Sequence, residues 1–296
     1  MTVEKDSWGL ENGDPITPEL TAMRLLGGGS AYEAFLAFDE ITYAPVVVKV
    51  VRPAQVSDEG TLRGLRRELE TLDRVHHPAV VRALRAELDG PRPHVVLEQL
   101  DGPRLSTLIR RYGALEPAQY LPLGIEIASA LHYFRRLELT HLDIKPSNVI
   151  MGAPAKLIDL SVARSVRLAA ELTYPIGTDS TMAPEQCDPG RTGTVGVASD
   201  VWGLGATLFE AVAGFKAFDE GDRRSDDLGA RFPQLRVEPY GLPEHVPAEV
   251  AKVVESCLAF HPVDRPTPAE VADALGPVLA RQPRGRLGGI KTALSR

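Results

Sequence analysis

Within residues 141–150, HLDIKPSNVI, a His, an Asp, a Lys and an Asn fall inside eight positions, beside a proline and several aliphatic residues. Asp143 and Asn148 are oxygen donors suited to a hard divalent cation or to a hydroxyl proton. Pro146 and the polar content predict a loop, following a helix that ends near Arg136. Eleven residues after Asn148, Asp159 ends the strand-like run KLID. Taken alone, Asp159 reads as a turn residue.

Two further charges stand where charge is costly. Lys49 interrupts VVVKVV, which reads as a buried strand, and a buried ammonium costs several kcal/mol unless paired. By itself it reads equally as a lysine snorkelling at a sheet edge. In GTLRGLRRELETLDRV, Leu62, Leu65, Leu69, Leu72 and Val75 recur at helical spacing, and Glu68 falls inside their apolar arc. A carboxylate in an apolar arc and a lysine in an apolar strand would relieve each other's cost. Gly27, Gly28 and Gly29 would let backbone amides approach an anion without interference from Cβ atoms, although a hairpin turn explains them as well. In chain order these are a glycine loop, a buried lysine, a helix glutamate, Asp-x-Lys-x-x-Asn and a further Asp. Phosphoryl transfer from a magnesium-bound nucleotide needs that inventory.

The elements that would position these groups change character along the chain. From about residue 20 to 100 the pattern is short strands with one helix between them; beyond about 105 it is mainly helical. AQYLPLGIEIASALHYFRRL and ASDVWGLGATLFEAVAG are the strongest helical stretches, and the second is apolar nearly all round, as a buried central helix ending at Gly214. This predicts an α+β chain of two lobes: a flexible leader over 1–17, an N-lobe over about 18–98, a hinge over 98–103 and a C-lobe over 104–278. Residues 219–232, dense in both charge signs, read as a surface connection. The end, 279–296, reads as a basic solvated tail, or as a patch that docks to acidic lipid or a partner.

Composition narrows the possibilities. The 296 residues carry 25% charged and 44% hydrophobic side chains, as ordinary globular proteins do. The net charge of -7 argues against nucleic-acid binding. Cys187 and Cys257 form no CxxC pair, which predicts reduced thiols and no metal site of their own. There is neither a run of about 18 apolar residues nor a signal-peptide pattern at the N-terminus, so a cytoplasmic chain without a transmembrane segment is expected.

Taken together, GGGSAY, VVVK, HLDIKPSN, DLS, GTDSTMAPE, SDVWGLG and VDRP resemble a eukaryotic-type (Hanks-type) serine/threonine protein kinase over residues 18–278. The predominance of Arg, 26 against 7 Lys, suits a GC-rich bacterial source. The resemblance implies a bilobal kinase fold, with a small antiparallel β-rich N-lobe holding one key helix and a larger helical C-lobe. It implies ATP as phosphate donor, Mg2+ (or Mn2+) as metal, protein substrates bearing Ser or Thr, and room for a regulatory protein partner. Gly27 and Gly29 would cover the phosphates, with Leu26, Gly28, Ala34 and Val47 beside the nucleotide. Lys49, held by Glu68, would bind the α- and β-phosphates. The backbones of Glu98 and Leu100 would take adenine, with Leu97 guarding the back pocket. Asp143 would orient the substrate hydroxyl and Lys145 the γ-phosphate. Asn148 and Asp159 would ligate magnesium, and Thr178 would bridge Asp143 and Lys145. His141, Glu185, Asp200 and Arg265 are structural in the family, the arginine pairing with Glu185.

Four departures qualify the resemblance. Tyr32 replaces the third glycine of the phosphate loop and Ala34 the usual valine; Leu160 and Ser161 replace Phe and Gly after Asp159; Thr181 replaces a tyrosine; and Leu142 stands where an arginine commonly meets an activation-segment phosphate. The last predicts activity that does not depend on that phosphorylation, with Ser165, Thr173 and Ser180 as available acceptors. A pseudokinase acting as a nucleotide-binding scaffold or partner-binding module is the alternative. A small-molecule kinase is disfavoured by the APE and VDRP motifs, which build a peptide-docking lobe.

Overall fold

The computed structural model describes residues 6–283. Alternating and β-branched segments of the first hundred residues form β1 (Pro15–Thr17), β2 (Leu20–Gly28), β3 (Tyr32–Asp39), β4 (Ala44–Val51), β5 (Ala83–Glu87) and β6 (His94–Glu98), with α1 (Glu59–Arg74) inserted before β5. The strands make one antiparallel sheet in the order β1-β2-β3-β4-β6-β5. On β4 the two-residue period sends Val46, Val48 and Val50 to the outer face, while Val47 and Lys49 face inward. The Asp58 carboxylate caps α1 by accepting the Thr61 N–H at 2.6 Å, and Leu65, Glu68 and Leu72 lie buried on one side of the helix.

The outer face corrects one expectation. Residues 6–17 are no loose leader: Trp8, Leu10 and Ile16 cover the apolar patch of Phe35, Val46, Val48 and Val96. Trp8 Nε1 donates to the Val51 carbonyl at 2.8 Å, and the Trp8 N–H and Ser7 hydroxyl donate to the buried Glu33 carboxylate. Acidic neighbours masked these few apolar side chains in the sequence. Residues 1–5 lie outside the described part.

Past Arg104 the chain forms α2 (Leu105–Tyr112), α3 (Pro117–Arg136), β7 (Leu139–Thr140), β8 (Val149–Ile150), β9 (Lys156–Leu157), β10 (Arg164–Ser165), α4 (Val166–Ala170), α5 (Pro184–Cys187), α6 (Val197–Ala213), α7 (Leu228–Arg231), α8 (Ala248–Cys257) and α9 (Pro268–Ala280). β7 pairs with β10 and β8 with β9. The central helix, α6, is buried on most sides, with α3 and α8 packed against it. It ends at Gly214 with φ 81°, a left-handed cap where an added Cβ would stand 2.8 Å from the Ala114 nitrogen. The fold is thus α+β in two lobes, a sheet with one helix followed by a helical body.

Two other boundaries move. α9 runs to Ala280, so the tail expected from 279 begins later; its stretch from 284 onward lies outside the described residues. The connection 219–232 is not wholly on the surface, because Phe232 is fully buried against Met182 and Cys187. Both thiols are buried and unpaired, and burial pushes the Cys257 thiol up to about 12, so it carries no nucleophilic thiolate at neutral pH. No described helix is long and apolar enough to cross a membrane.

One ion pair bolts the helical lobe. Arg265 grips Glu185 with two parallel bonds of 2.7 and 2.8 Å, and neither side chain is exposed at all (0%). The remaining capacity is filled: Ser199 Oγ donates to the same carboxylate, and Arg265 donates to the carbonyls of Ala198, Ala259 and Phe260. Removing one member strands the other charge in the core. Glu185→Ala is expected to destabilise the domain by about 3–5 kcal/mol, read as a lowered urea midpoint.

Candidate active site

The cleft between sheet and helical body has a volume of about 760 Å3. Its roof is β2, β3 and β4, whose Leu26, Gly27, Gly28, Ala34 and Val47 line it together with Gly29 of the β2–β3 turn. Its back edge is Leu97, Glu98 and Leu100, where β6 runs out into the connection to α2. The Glu98 side chain is already engaged by Lys156 at 2.5 Å and by the Arg82 N–H at 2.9 Å, and its own N–H donates to Arg82.

Lys49 reaches into the cleft from β4, its side chain 14% exposed. Its ammonium lies 2.7 Å from Glu68 on α1 and 3.1 Å from Asp159. Burial alone would push the lysine pKa down, but the two carboxylates outweigh it and hold the ammonium above the usual lysine range. Burial likewise pulls Glu68 upward against the attraction of Lys49, and the ionised pair is the form that satisfies both partners. Asp159 shows the opposite balance: burial would raise it, but Lys49 brings it down to about 2, so it is ionised at neutral pH.

The second half of the site is the loop after β7. Asp143 Oδ1 accepts the Thr178 hydroxyl at 2.7 Å; Oδ2 lies 2.7 Å from the Lys145 ammonium and accepts from Asn148 Nδ2 at 3.0 Å. Lys145 also donates to Thr178 Oγ1 at 2.6 Å. Asp200, at the start of α6, orients this loop: its carboxylate accepts the His141 and Leu142 N–H groups at 2.8 and 2.7 Å. That grip sets Leu142 at φ 64°, a left-handed conformation uncommon for leucine. His141 is fully buried, and burial pushes its pKa down, so the ring is neutral and its Nδ1 accepts the Asp143 N–H at 3.3 Å.

The structure therefore brings Lys49, Glu68, Lys145, Asn148 and Asp159 to one cleft, ties Asp143 and Thr178 to Lys145, and holds Glu185 and Arg265 together in the helical lobe. At the departures, Leu160 is fully buried in the main core, and Ser161 needs no left-handed backbone, its N–H approaching Asp159 at 3.4 Å. Thr181 is buried and donates to the Thr178 carbonyl at 3.3 Å. Leu142 packs in an apolar cluster with Ala169, Leu172 and Val195. Sequence reasoning missed Gln186, whose amide donates to the carbonyls of Leu142 and Ile176 at 2.9 and 2.8 Å. It also missed Gln234, which donates to the carbonyls of Asp179 and Met182 from the short turn Pro233–Leu235 just past the 219–232 connection. No local pattern marks either glutamine; their partners are distant carbonyls.

Among the described residues no cluster of three or more His, Cys, Asp or Glu could hold a metal. Asn148 and Asp159, with an ionised carboxylate, suit magnesium, which takes few protein ligands and completes its shell with water and phosphate oxygens.

A lysine–glutamate pair over a glycine turn, facing an aspartate held by lysine, threonine and asparagine, is the arrangement of a phosphotransferase cleft. A sequence profile of the protein kinase domain matches residues 20–275, and the chain belongs to the protein kinase family, in its Hanks-type serine/threonine branch. It is 35% identical over 235 residues to serine/threonine-protein kinase PknK of Mycobacterium tuberculosis (strain CDC 1551 / Oshkosh), covering 76% of this chain and 20% of that protein. It is 29% identical over 269 residues to serine/threonine-protein kinase PknB of Mycobacterium leprae (strain TN), covering 88% of this chain and 43% of that protein. The chain thus spans less than half the length of these relatives.

Asp200→Asn would turn an amide donor toward one of the two loop N–H groups. A loss of about 1–3 kcal/mol is expected in denaturant unfolding, together with a fall in phosphate transfer, because Asp143 hangs on the same loop.

Proposed function

We propose that the chain transfers the γ-phosphate of ATP to serine or threonine hydroxyls of protein substrates, in a cytoplasmic setting. The observation that carries this reading is the joint presence of the Lys49–Glu68 pair and the Asp143–Thr178–Lys145 set across one cleft. The Glu98 and Leu100 backbone would take adenine, and the amides of Gly27–Gly29 and the Lys49 ammonium would hold the phosphates. Asp143 would accept or orient the proton of the incoming hydroxyl, with Thr178 holding its carboxylate in place. Lys145 would turn from Asp143 to the γ-phosphate. Asn148 and Asp159 would hold magnesium or manganese, which supplies charge neutralisation to the phosphates when bound.

Activity is proposed not to depend on activation-segment phosphorylation. Support comes from Leu142, 2% exposed, which holds the segment through Ala169 and Leu172 where an arginine would need a phosphate. Burial of such a leucine contributes roughly 1.5–3 kcal/mol, comparable to a charge-assisted hydrogen bond.

Radiolabelled ATP with magnesium and a basic acceptor protein tests the first claim: label is expected with the native chain and absent with Asp143→Asn. Binding of ATP without transfer by the native chain would favour a nucleotide-binding scaffold instead. For the second, Ser165→Asn, Thr173→Ala and Ser180→Ala combined should keep activity within about threefold, Asn preserving the cap that Ser165 gives the Leu168 N–H. Leu142→Arg should lower it by more than tenfold, as an unpaired charge enters the apolar cluster.

A further inference from the structure

Tyr32, in the place of the last glycine of the phosphate loop, has a defined environment. Its backbone is fixed by the turn: the Gly29 N–H donates to the Tyr32 carbonyl at 3.0 Å, and a Cβ on Gly28 would stand only 2.4 Å from that oxygen. Alternation along β3 puts its side chain on the cleft side with Ala34 and Leu36. From there the ring lies under the Lys49 ammonium, 4.8 Å from ring centre to nitrogen. The hydroxyl crosses to the helix and donates to the Thr61 carbonyl at 2.9 Å. Space for it exists because residue 64 is glycine; a Cβ there would stand 3.1 Å from the tyrosine oxygen. Thr61 is two helical turns before Glu68, on the same face of α1. One side chain therefore touches the strand leaving the phosphate loop, the lysine of the ion pair and the helix that carries its glutamate.

We propose that Tyr32 is a positioning residue that ties α1 to the phosphate loop and keeps Glu68 paired with Lys49 without help from a partner. The inference rests on the phosphotransfer reading only for its kinetic consequence. Burial raises the phenol's pKa, so the hydroxyl stays a donor through neutral pH. Lys49 is then enclosed on three sides, by Glu68, by Asp159 and by the ring. A glycine at this position would leave the helix held by its apolar face and the Lys49–Glu68 pair, and the lysine open on one side.

Tyr32→Phe keeps the ring and removes the tie. It is expected to speed amide hydrogen exchange over residues 61–70 by about three- to tenfold and to raise KM for ATP by a similar factor, with kcat within about twofold. Tyr32→Gly, which also loses the ring, is expected to lower kcat/KM by roughly tenfold or more. Gly64→Ala should raise KM in the native chain and have no further effect in the Tyr32→Phe background, because the hydroxyl it would displace is gone. Native exchange rates and native KM in Tyr32→Phe would overturn the proposal, as would additive effects of Tyr32→Phe and Gly64→Ala. Exchange is measured without catalysis. Faster exchange in Tyr32→Phe from a native chain that transfers no phosphate would sustain the tie and remove the phosphotransfer reading.

Discussion

The structure turns on one buried charge. Lys49 sits in a valine-rich strand, where an ammonium without partners would cost several kcal/mol. Its partners come from 19 residues away in α1 and 110 residues away at the end of the β8–β9 hairpin. Satisfying it requires that the helix dock by Leu65 and Leu72, that the sheet place β4 beside β6, and that the helical lobe bring Asp159 underneath. A displacement of any of the three leaves charge unpaired in a partly dry cleft. The same requirement that closes the fold also gathers Lys49, Glu68 and Asp159 at the cleft.

The second half of the site follows a related rule, that buried polar groups are mostly satisfied, with the buried His141 Nε2 as its exception. Asp200 spends both carboxylate oxygens on two successive loop amides, and in doing so bends Leu142 into a left-handed conformation. That bend turns the leucine into the apolar cluster with α4, and Gln186 holds its carbonyl from the other side. The activation segment is therefore held by packing and by amide bonds, interactions that are present as soon as the chain folds.

How much was legible before folding can be judged at particular residues. Lys49 and Glu68 announced each other because each violates the apolar pattern of its own element. Asp143, Lys145 and Asn148 announced themselves by crowding into one loop. Trp8, Leu10 and Ile16 did not: isolated among acids and turn residues, they show no periodicity, and the sheet face they cover is built by strands up to residue 98. Tyr32 was visible as a departure from a glycine, yet its role was not, because the Thr61 carbonyl it meets is a backbone atom that no side-chain pattern marks.

The amino-acid sequence by itself determined the order of strands and helices, the two-lobe division and the identity of the chemical groups, since these follow from local periodicity and from charges placed against that periodicity. Only the tertiary structure decided the full burial of the Glu185–Arg265 pair, the turning of Leu142, the clamping by Gln186 and Gln234, and the reach of Tyr32 to α1. Those features depend on distances between backbone atoms far apart along the chain, and such distances exist only once the apolar faces have packed.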